Sequence, residues 1–162
     1  MDIGLRPFRP DYLDAIVEVN EAGFGHADEG RITRALHADG DSILSLVATG
    51  NIEIVGHIEF FRIRIDGAPV GVGLGPMCVL PELQQTGVGA RLIRLGLKAL
   101  EGAGESLVFV LGHNTYYPKF GFSEAAAKPF TSPWSGPHFM ALRLAPVGPE
   151  TGTLTYPKAF GG

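Results

Sequence analysis

Residues 79–96 read VLPELQQTGVGARLIRLG, and residue type and spacing in this segment point to the binding of an anion. An apolar run ends at Pro81, a Gln-Gln-Thr-Gly-Val-Gly turn follows, and an amphipathic helical pattern starts inside the turn. The first amides of a helix have no intrahelical acceptors and lie at the positive end of its dipole. Gly87 and Gly89 remove the side chains that would hold a ligand away from those amides. The product is a cradle suited to phosphate. A Walker loop would need Lys-Ser/Thr after its second glycine, which Gly89-Ala90-Arg91 lacks, and a dinucleotide fingerprint would need glycine where Leu92 stands. What fits is Gln-x-x-Gly-x-Gly, from Gln84 through Gly87 to Gly89.

Other residues could move protons. Residues 114–122 read NTYYPKFGF, which places the phenol of Tyr117 shortly after an apolar strand. His57 and Glu59 stand two apart on a predicted strand and so share a face, which makes them candidates for a base or a water relay. A lone histidine on a strand is more often a satisfied structural group. His113 follows the apolar strand and could face a cleft. The five histidines show no His-x-x-x-His spacing and no nearby carboxylate pattern, so no metal is expected. Cys78 is expected to be a small buried residue rather than a nucleophile.

Composition narrows the classes. A chain of 162 residues matches about one domain of ~150 residues, large enough for a real core. Apolar residues make up 45% and charged residues 19%, as in ordinary soluble proteins. The start, MDIGLRPFRPD, has no signal-peptide core, and Leu107–Leu111 is far too short to span a bilayer. A single cysteine rules out an internal disulfide and suits a reducing cytoplasm. A net charge of −4 argues against non-specific nucleic-acid binding and mildly favours cationic substrates.

The elements that must position these residues alternate without a linker. The pattern predicts a strand over 2–8 and a helix from Asp11, its cap, to Phe24, with Leu13, Ile16, Val17 and Val19 inward. A second helix covers Asp28–Ala38, with Ile32, Ala35 and Leu36 inward. Ser42–Thr49 is a strand, and Gly50-Asn51 turns into a strand over Ile52–Ile65. The apolar phase of that strand changes near Phe60-Phe61, which predicts a bulge there. Asp66-Gly67 turns into Val70–Leu80. The helix after the loop has Val88, Leu92, Leu95 and Ala99 as its inward stripe, with Arg91, Arg94, Lys98 and Glu101 wet, and ends at Gly102 and Gly104. Ser106–Leu111 reads as a strand buried on both faces. Gly112–Phe122 is a turn-helix element, Ala125–Pro137 a loop, His138–Leu144 a strand and Thr153–Phe160 a last strand that could pair between subunits as a homodimer.

Taken with this order of elements, the two motifs resemble those of the GNAT acyltransferases, in which Gln-x-x-Gly-x-Gly forms a pyrophosphate loop and Tyr-x-Lys/Arg-x-Gly-Phe follows the central strand. Tyr117-Pro118-Lys119-Phe120-Gly121-Phe122 matches the second pattern. The whole chain resembles the YhbS-like branch of predicted N-acetyltransferases in LGPMCVLPELQQTGVG, the paired Tyr116-Tyr117, HFMALRL and TLTYPKAF. The resemblance implies an α/β (α+β) fold, one domain over 1–162, with a mixed, mostly antiparallel sheet of about seven strands and helices on both faces. It implies acetyl-CoA as cosubstrate, no metal, and direct attack of a primary amine on the thioester through a tetrahedral intermediate. Met77, Cys78, Val79 and Leu80 would lie along the pantetheine arm, with amides near Val79 on the acetyl oxygen. Thr86, Gly87, Val88, Gly89 and Ala90 would take the pyrophosphate, steadied by Gln84 or Gln85 and by Arg91, with Asn114, Tyr117 and Phe120 also at the cofactor. Tyr117 would protonate the leaving thiolate. The acceptor, a small-molecule or peptide amine, would be shaped by Asn20–Glu29, where Glu21, Asp28 and Glu29 could hold an ammonium, and by Ala125–Pro137, with Phe24 and Trp134 as walls. Transfer from another acyl-CoA, or sensing without transfer, are the alternatives within this fold.

Overall fold

A strand keeps a clean apolar alternation only where one of its faces meets water. The second hairpin strand, expected to carry a bulge, shows what happens when neither does. In the computed structural model, which describes residues 2–161, it runs unbroken as β3, Glu53–Ile65. Every residue from Val55 to Phe61 is buried. Phe60 lies over Gly96 of the helix α3, Val88–Gly102, where a Cβ would stand 2.3 Å from the ring. His57 and Glu59, on the opposite face, meet α1, Leu13–Phe24, and α2, Asp28–Ala38. Both faces are covered, so the change of phase at Phe60-Phe61 does not require a change of face.

The other strands are β1 Ile3–Pro7, β2 Ser42–Gly50, β4 Ala68–Val79, β5 Leu107–Leu111, β6 Phe130–Thr131, β7 Phe139–Arg143 and β8 Gly152–Thr155, with a short helix α4 at Glu124–Ala127. The described residues form two units. The first comprises residues up to Phe60 together with Gly75–Gly96, and the second comprises Phe61–Leu74 and residues from Leu97 onward. Within the first unit the strand order is β1-β2-β3-β4, with β1 antiparallel to β2 from Ile3↔Gly50 to Pro7↔Leu46. Within the second it is β3-β4-β5-β7. There β4 and β5 are parallel over Val72–Leu74 and Val108–Val110, and β5 and β7 antiparallel from Leu107↔Arg143 to Leu111↔Phe139. The fold is mixed α/β with a mostly antiparallel sheet, as the sequence predicts.

Local chemistry explains the differences from sequence. Asp11 does not cap α1; it lies in a 3-10 turn, Pro10–Tyr12, and bonds Arg9 instead. The hairpin turn is Asn51-Ile52, both at positive φ, one residue later than expected, which leaves Ile52 outside β3 and fully exposed. The inward stripe of α3 is Val88, Leu92, Ile93, Gly96, Leu97 and Leu100, whereas Leu95 and Ala99 face outward. The segment 125–137 is not all loop, since it holds most of α4 and all of β6. Only Gly152–Thr155 of the last segment is strand, Lys158–Phe160 being a 3-10 turn. That strand pairs within the chain, with β3 and β6, so it is not the free edge that pairing between subunits would use. No helix among the described residues is long and apolar enough to cross a membrane.

Gly96→Ala should lower Tm by about 4 °C in a calorimetric scan. The added methyl overpacks against Phe60 by more than the helix-propensity gain returns. Gly102→Ala, with open space around its Cβ, should leave Tm unchanged or raise it.

Candidate functional site

The loop after β4 belongs to the first unit. Its parent strand leaves the parallel ladder after Leu74, and Pro76 has no amide hydrogen to give. The Leu80 amide donates to Val55 O at 2.9 Å on β3, so it is committed and not available to a ligand as expected. Successive amides of a strand point to opposite sides. Val79 N–H and Met77 N–H therefore point away from β3. Gln84 turns back to donate to Val79 O at 3.1 Å and fastens the loop to its strand rather than reaching outward. Thr86 Oγ1 donates to Leu83 O, closing the turn.

Gly87 then takes φ 93°, a left-handed conformation costly for other residues. The first i→i−4 bond of α3 runs from Arg91 N to Gly87 O at 3.1 Å, which leaves the amides of Val88, Gly89 and Ala90 without intrahelical acceptors. Val88 is buried and anchors the turn, while Gln84, Gln85, Thr86, Gly87 and Arg91 are exposed. Three amides without intrahelical acceptors at the positive end of a helix dipole are the donor set that an anion would use. Cys78 is buried, and its thiol is pushed up to about 12, first by burial and then by the negative charge of Glu29. It stays a thiol at neutral pH.

Tyr117 belongs to the second unit. It opens a 3-10 turn, Tyr117–Phe120, closed by Gly121 at φ 98°. Its amide donates to His113 O at 3.2 Å, and its ring meets Tyr116 and Phe122 edge-on at 5.2 and 5.9 Å. Burial, then Tyr116, pushes the phenol up to about 12. Asn114 is exposed and Phe120 half-buried. Trp134 in the same unit packs edge-on against Tyr156 at 4.5 Å.

His57 and Glu59 share a face as their spacing predicts, and there they touch at 3.0 Å and are both wholly buried. The sequence reading missed their partners. His37 lies 2.8 Å from Glu59 Oε1 and stacks on Phe8, Ser42 donates to Glu59 Oε2, and Ser45 lies 3.0 Å from His57 Nε2. Asn20 Nδ2 donates to Ile16 O at 2.9 Å and reaches His57 Nδ1 at 3.2 Å. That nitrogen must therefore accept, and Nε2 carries the hydrogen toward Glu59. Asn20 had a visible signal: it follows Ile16 and Val19 at core spacing on α1, a polar residue on an apolar stripe. His37 had none, because only tertiary packing brings α2 to β3, whereas Ser42 and Ser45 lie on the strand that the predicted hairpin sets beside β3. The histidines do have carboxylate neighbours, contrary to the pattern expected: His37 and His57 at Glu59, and His26 at Glu29. No group able to hold a metal occurs among the described residues.

Burial raises the Glu59 pKa, but hydrogen bonds from His37 and His57 and the electrostatic attraction of those two side chains outweigh it, so the carboxyl lies below its ordinary value. A lowered folded pKa gives stability that is complete above the unfolded pKa of about 4.3 and lost as pH falls through the folded value. Glu59→Gln should cost about 3 kcal/mol at pH 7, since it sets an amide NH2 group against donors that the carboxylate accepts from. Denaturant titrations from pH 7 to 3 should show the wild type losing this stability below about pH 4.3 and the variant losing less.

The model of the acetyltransferase (GNAT) domain matches residues 41–124, which include the loop and Tyr117. The Escherichia coli (strain K12) protein described as uncharacterized N-acetyltransferase YjhQ is 41% identical over 128 residues, 75% of this chain and 71% of that one. A crystal structure of a GNAT family acetyltransferase from Brucella melitensis in complex with acetyl-CoA is 36% identical with a TM-score of 0.85, covering 98% of each chain. The GNAT family N-acetyltransferase YhbS from Escherichia coli in complex with CoA is 27% identical with a TM-score of 0.90, covering 99% of this chain and 92% of that one. The chain belongs to the GNAT family of acetyltransferases and is an acyltransferase.

Proposed function

We propose that the protein transfers the acetyl group of acetyl-CoA to a primary amine by direct attack through a tetrahedral intermediate, acting as one GNAT domain. The observation that carries this is the set of unpaired amides at Val88–Ala90, presented by Gly87 beside an exposed Arg91. That donor set suits a pyrophosphate, and the relatives in complex with CoA and acetyl-CoA support the same ligand. The amides of Met77 and Val79 would hold the pantetheine arm and the acetyl oxygen. An N–H aimed at the carbonyl gains strength as negative charge develops on the oxygen. Gln84 contributes by fixing the loop rather than by touching phosphate.

Tyr117 is the proposed donor to the departing sulfur. A phenol near 12 is protonated throughout the physiological range. An ordinary thiol titrates near about 8.5, so complete proton transfer would be uphill by roughly 5 kcal/mol. Its contribution is therefore a hydrogen bond to the sulfur as charge appears, worth about 1.5–3 kcal/mol when the acceptor is charged. Cys78, held as a thiol, takes no covalent part. Glu59 and His57 are poorly suited to be the base. Both are wholly buried, and Glu59 already receives hydrogen bonds from His37, Ser42 and His57. Water is the more accessible proton acceptor.

Saturating acetyl-CoA should raise Tm by several degrees, because a ligand at 100 times its Kd adds ~2.7 kcal/mol. No shift in a cooperatively folded sample would refute the cradle. Thiol release with an amine panel then separates an enzyme from a sensor. Tyr117→Phe should lower kcat at least ~10-fold while leaving the acetyl-CoA shift in place. An unchanged kcat would remove Tyr117 from the mechanism.

A further inference from the structure

The end of β5 holds a second side chain beside Tyr117. The ladder between β5 and β7 closes at Leu111↔Phe139, and one residue further the Gly112 amide donates to His138 O at 2.9 Å. The Phe139 amide donates to Gly136 O at 3.1 Å, so the backbone around His138 is held. The imidazole returns to the same glycine, with Nδ1 3.1 Å from Gly112 O. A carbonyl oxygen only accepts, so Nδ1 carries the hydrogen. In the neutral ring Nε2 is then the acceptor. His138 is exposed, and its Nε2 has no hydrogen bond among the described residues.

Gly112 also carries Tyr117. A Cβ at Gly112 would stand 2.4 Å from Cε2 of that ring and 3.4 Å from its Cζ, a closeness that only glycine allows. An imidazole with a free acceptor nitrogen and the proposed donor to the sulfur thus share one glycine. It lies just past Val110, where the parallel ladder of β4 and β5 ends. His113 differs. Its carbonyl accepts from the amides of Tyr116 and Tyr117, but no hydrogen bond among the described residues orients its ring.

The transfer needs what this nitrogen offers. An alkylammonium titrates near ~10.4 and has no lone pair with which to attack. Glu59 and His57 are wholly buried and already paired with each other. Imidazole is the side chain whose ordinary titration lies nearest neutral pH, so it both takes a proton and returns it to solvent in each cycle.

We propose that His138 is the base of the transfer, its Nε2 taking a proton from the acceptor's ammonium. The proposal rests on the acetyl-CoA reading, which puts the departing sulfur at Tyr117. An N–H bond of the ammonium breaks as Nε2–H forms, and the freed electron pair attacks the thioester carbon. The C–S bond then breaks with its pair on sulfur. A second proton leaves the nitrogen as the intermediate collapses and ends on the thiolate, while the imidazolium releases the first to solvent. Nδ1 keeps its hydrogen and its bond to Gly112 O throughout, so the ring has no need to reorient.

The test follows thiol release from acetyl-CoA with n-hexylamine at pH 7.5, the rate without enzyme subtracted. His138→Asn keeps an N–H for Gly112 O and removes Nε2. It should lower kcat about 100-fold while the KM for acetyl-CoA and the acetyl-CoA Tm shift stay in place. His138→Ala should lose a similar factor and recover at least ~10-fold when free imidazole is added, because the added base then takes the proton. Nitrogen-15 NMR of the neutral His138 ring should show its hydrogen on Nδ1. An unchanged kcat in His138→Asn, no recovery of His138→Ala, or a hydrogen on Nε2 instead would overturn the proposal. So would a wild type that releases no thiol with n-hexylamine, benzylamine or tyramine. Absence of an acetyl-CoA Tm shift in the wild type is a separate readout that marks failure of the acetyl-CoA reading itself.

Discussion

A carboxylate removed from water costs several kcal/mol unless donors replace its hydration. Glu59 meets that condition in the middle of β3 with donors from three directions: His37 on α2, Ser42 on β2 and His57 on its own strand. Asn20 on α1 then fixes which nitrogen of His57 carries the hydrogen. The charge is tolerated only while these elements keep their places. Shifting α1, α2 or β2 would strand a buried anion or an unpaired donor, so the cluster specifies how the first unit packs as much as it stabilises it. This is why a pair of residues that reads as catalytic in sequence is better placed to hold the architecture.

The proposed chemistry then rests mainly on backbone. The amides of Val88, Gly89 and Ala90 are unpaired because a helix starts there, and those of Met77 and Val79 face away from β3 because strand amides alternate. Neither set depends on ionisation, and neither has to reorganise as charge develops in a reaction. Side chains refine the arrangement: Gln84 fastens the loop to Val79 O, and Tyr117 keeps its proton over the whole physiological range.

Much of this was legible in the chain. The glycine loop after β4, the helix behind it, the Asp66-Gly67 turn and Tyr117 before Gly121-Phe122 were readable because each depends on residues near in sequence. The less legible parts depended on what lies opposite. The phase change in β3 looked like a bulge because alternation assumes one wet face, and β3 between Val55 and Phe61 has none. Leu95 and Ala99 were placed inward on α3, but Phe60 packs at Gly96 and turns the buried stripe toward Ile93 and Leu97. The last segment read as one long strand, yet only Gly152–Thr155 finds partners, in β3 and β6.

The sequence alone determined the order of strands and helices from β1 to β5, the glycines that open the N-terminus of α3, and the identity of the groups available for chemistry. These follow from local rules of periodicity, turn geometry and helix ends. Tertiary structure decided what each polar group was free to do. It committed the Leu80 amide to Val55, enclosed Glu59 and His57 among donors, and held Cys78 and Tyr117 protonated by burial. The physical reason is that hydrogen bonding and desolvation depend on atoms brought together from distant parts of the chain, whereas turns and helix starts depend on neighbours a few residues away.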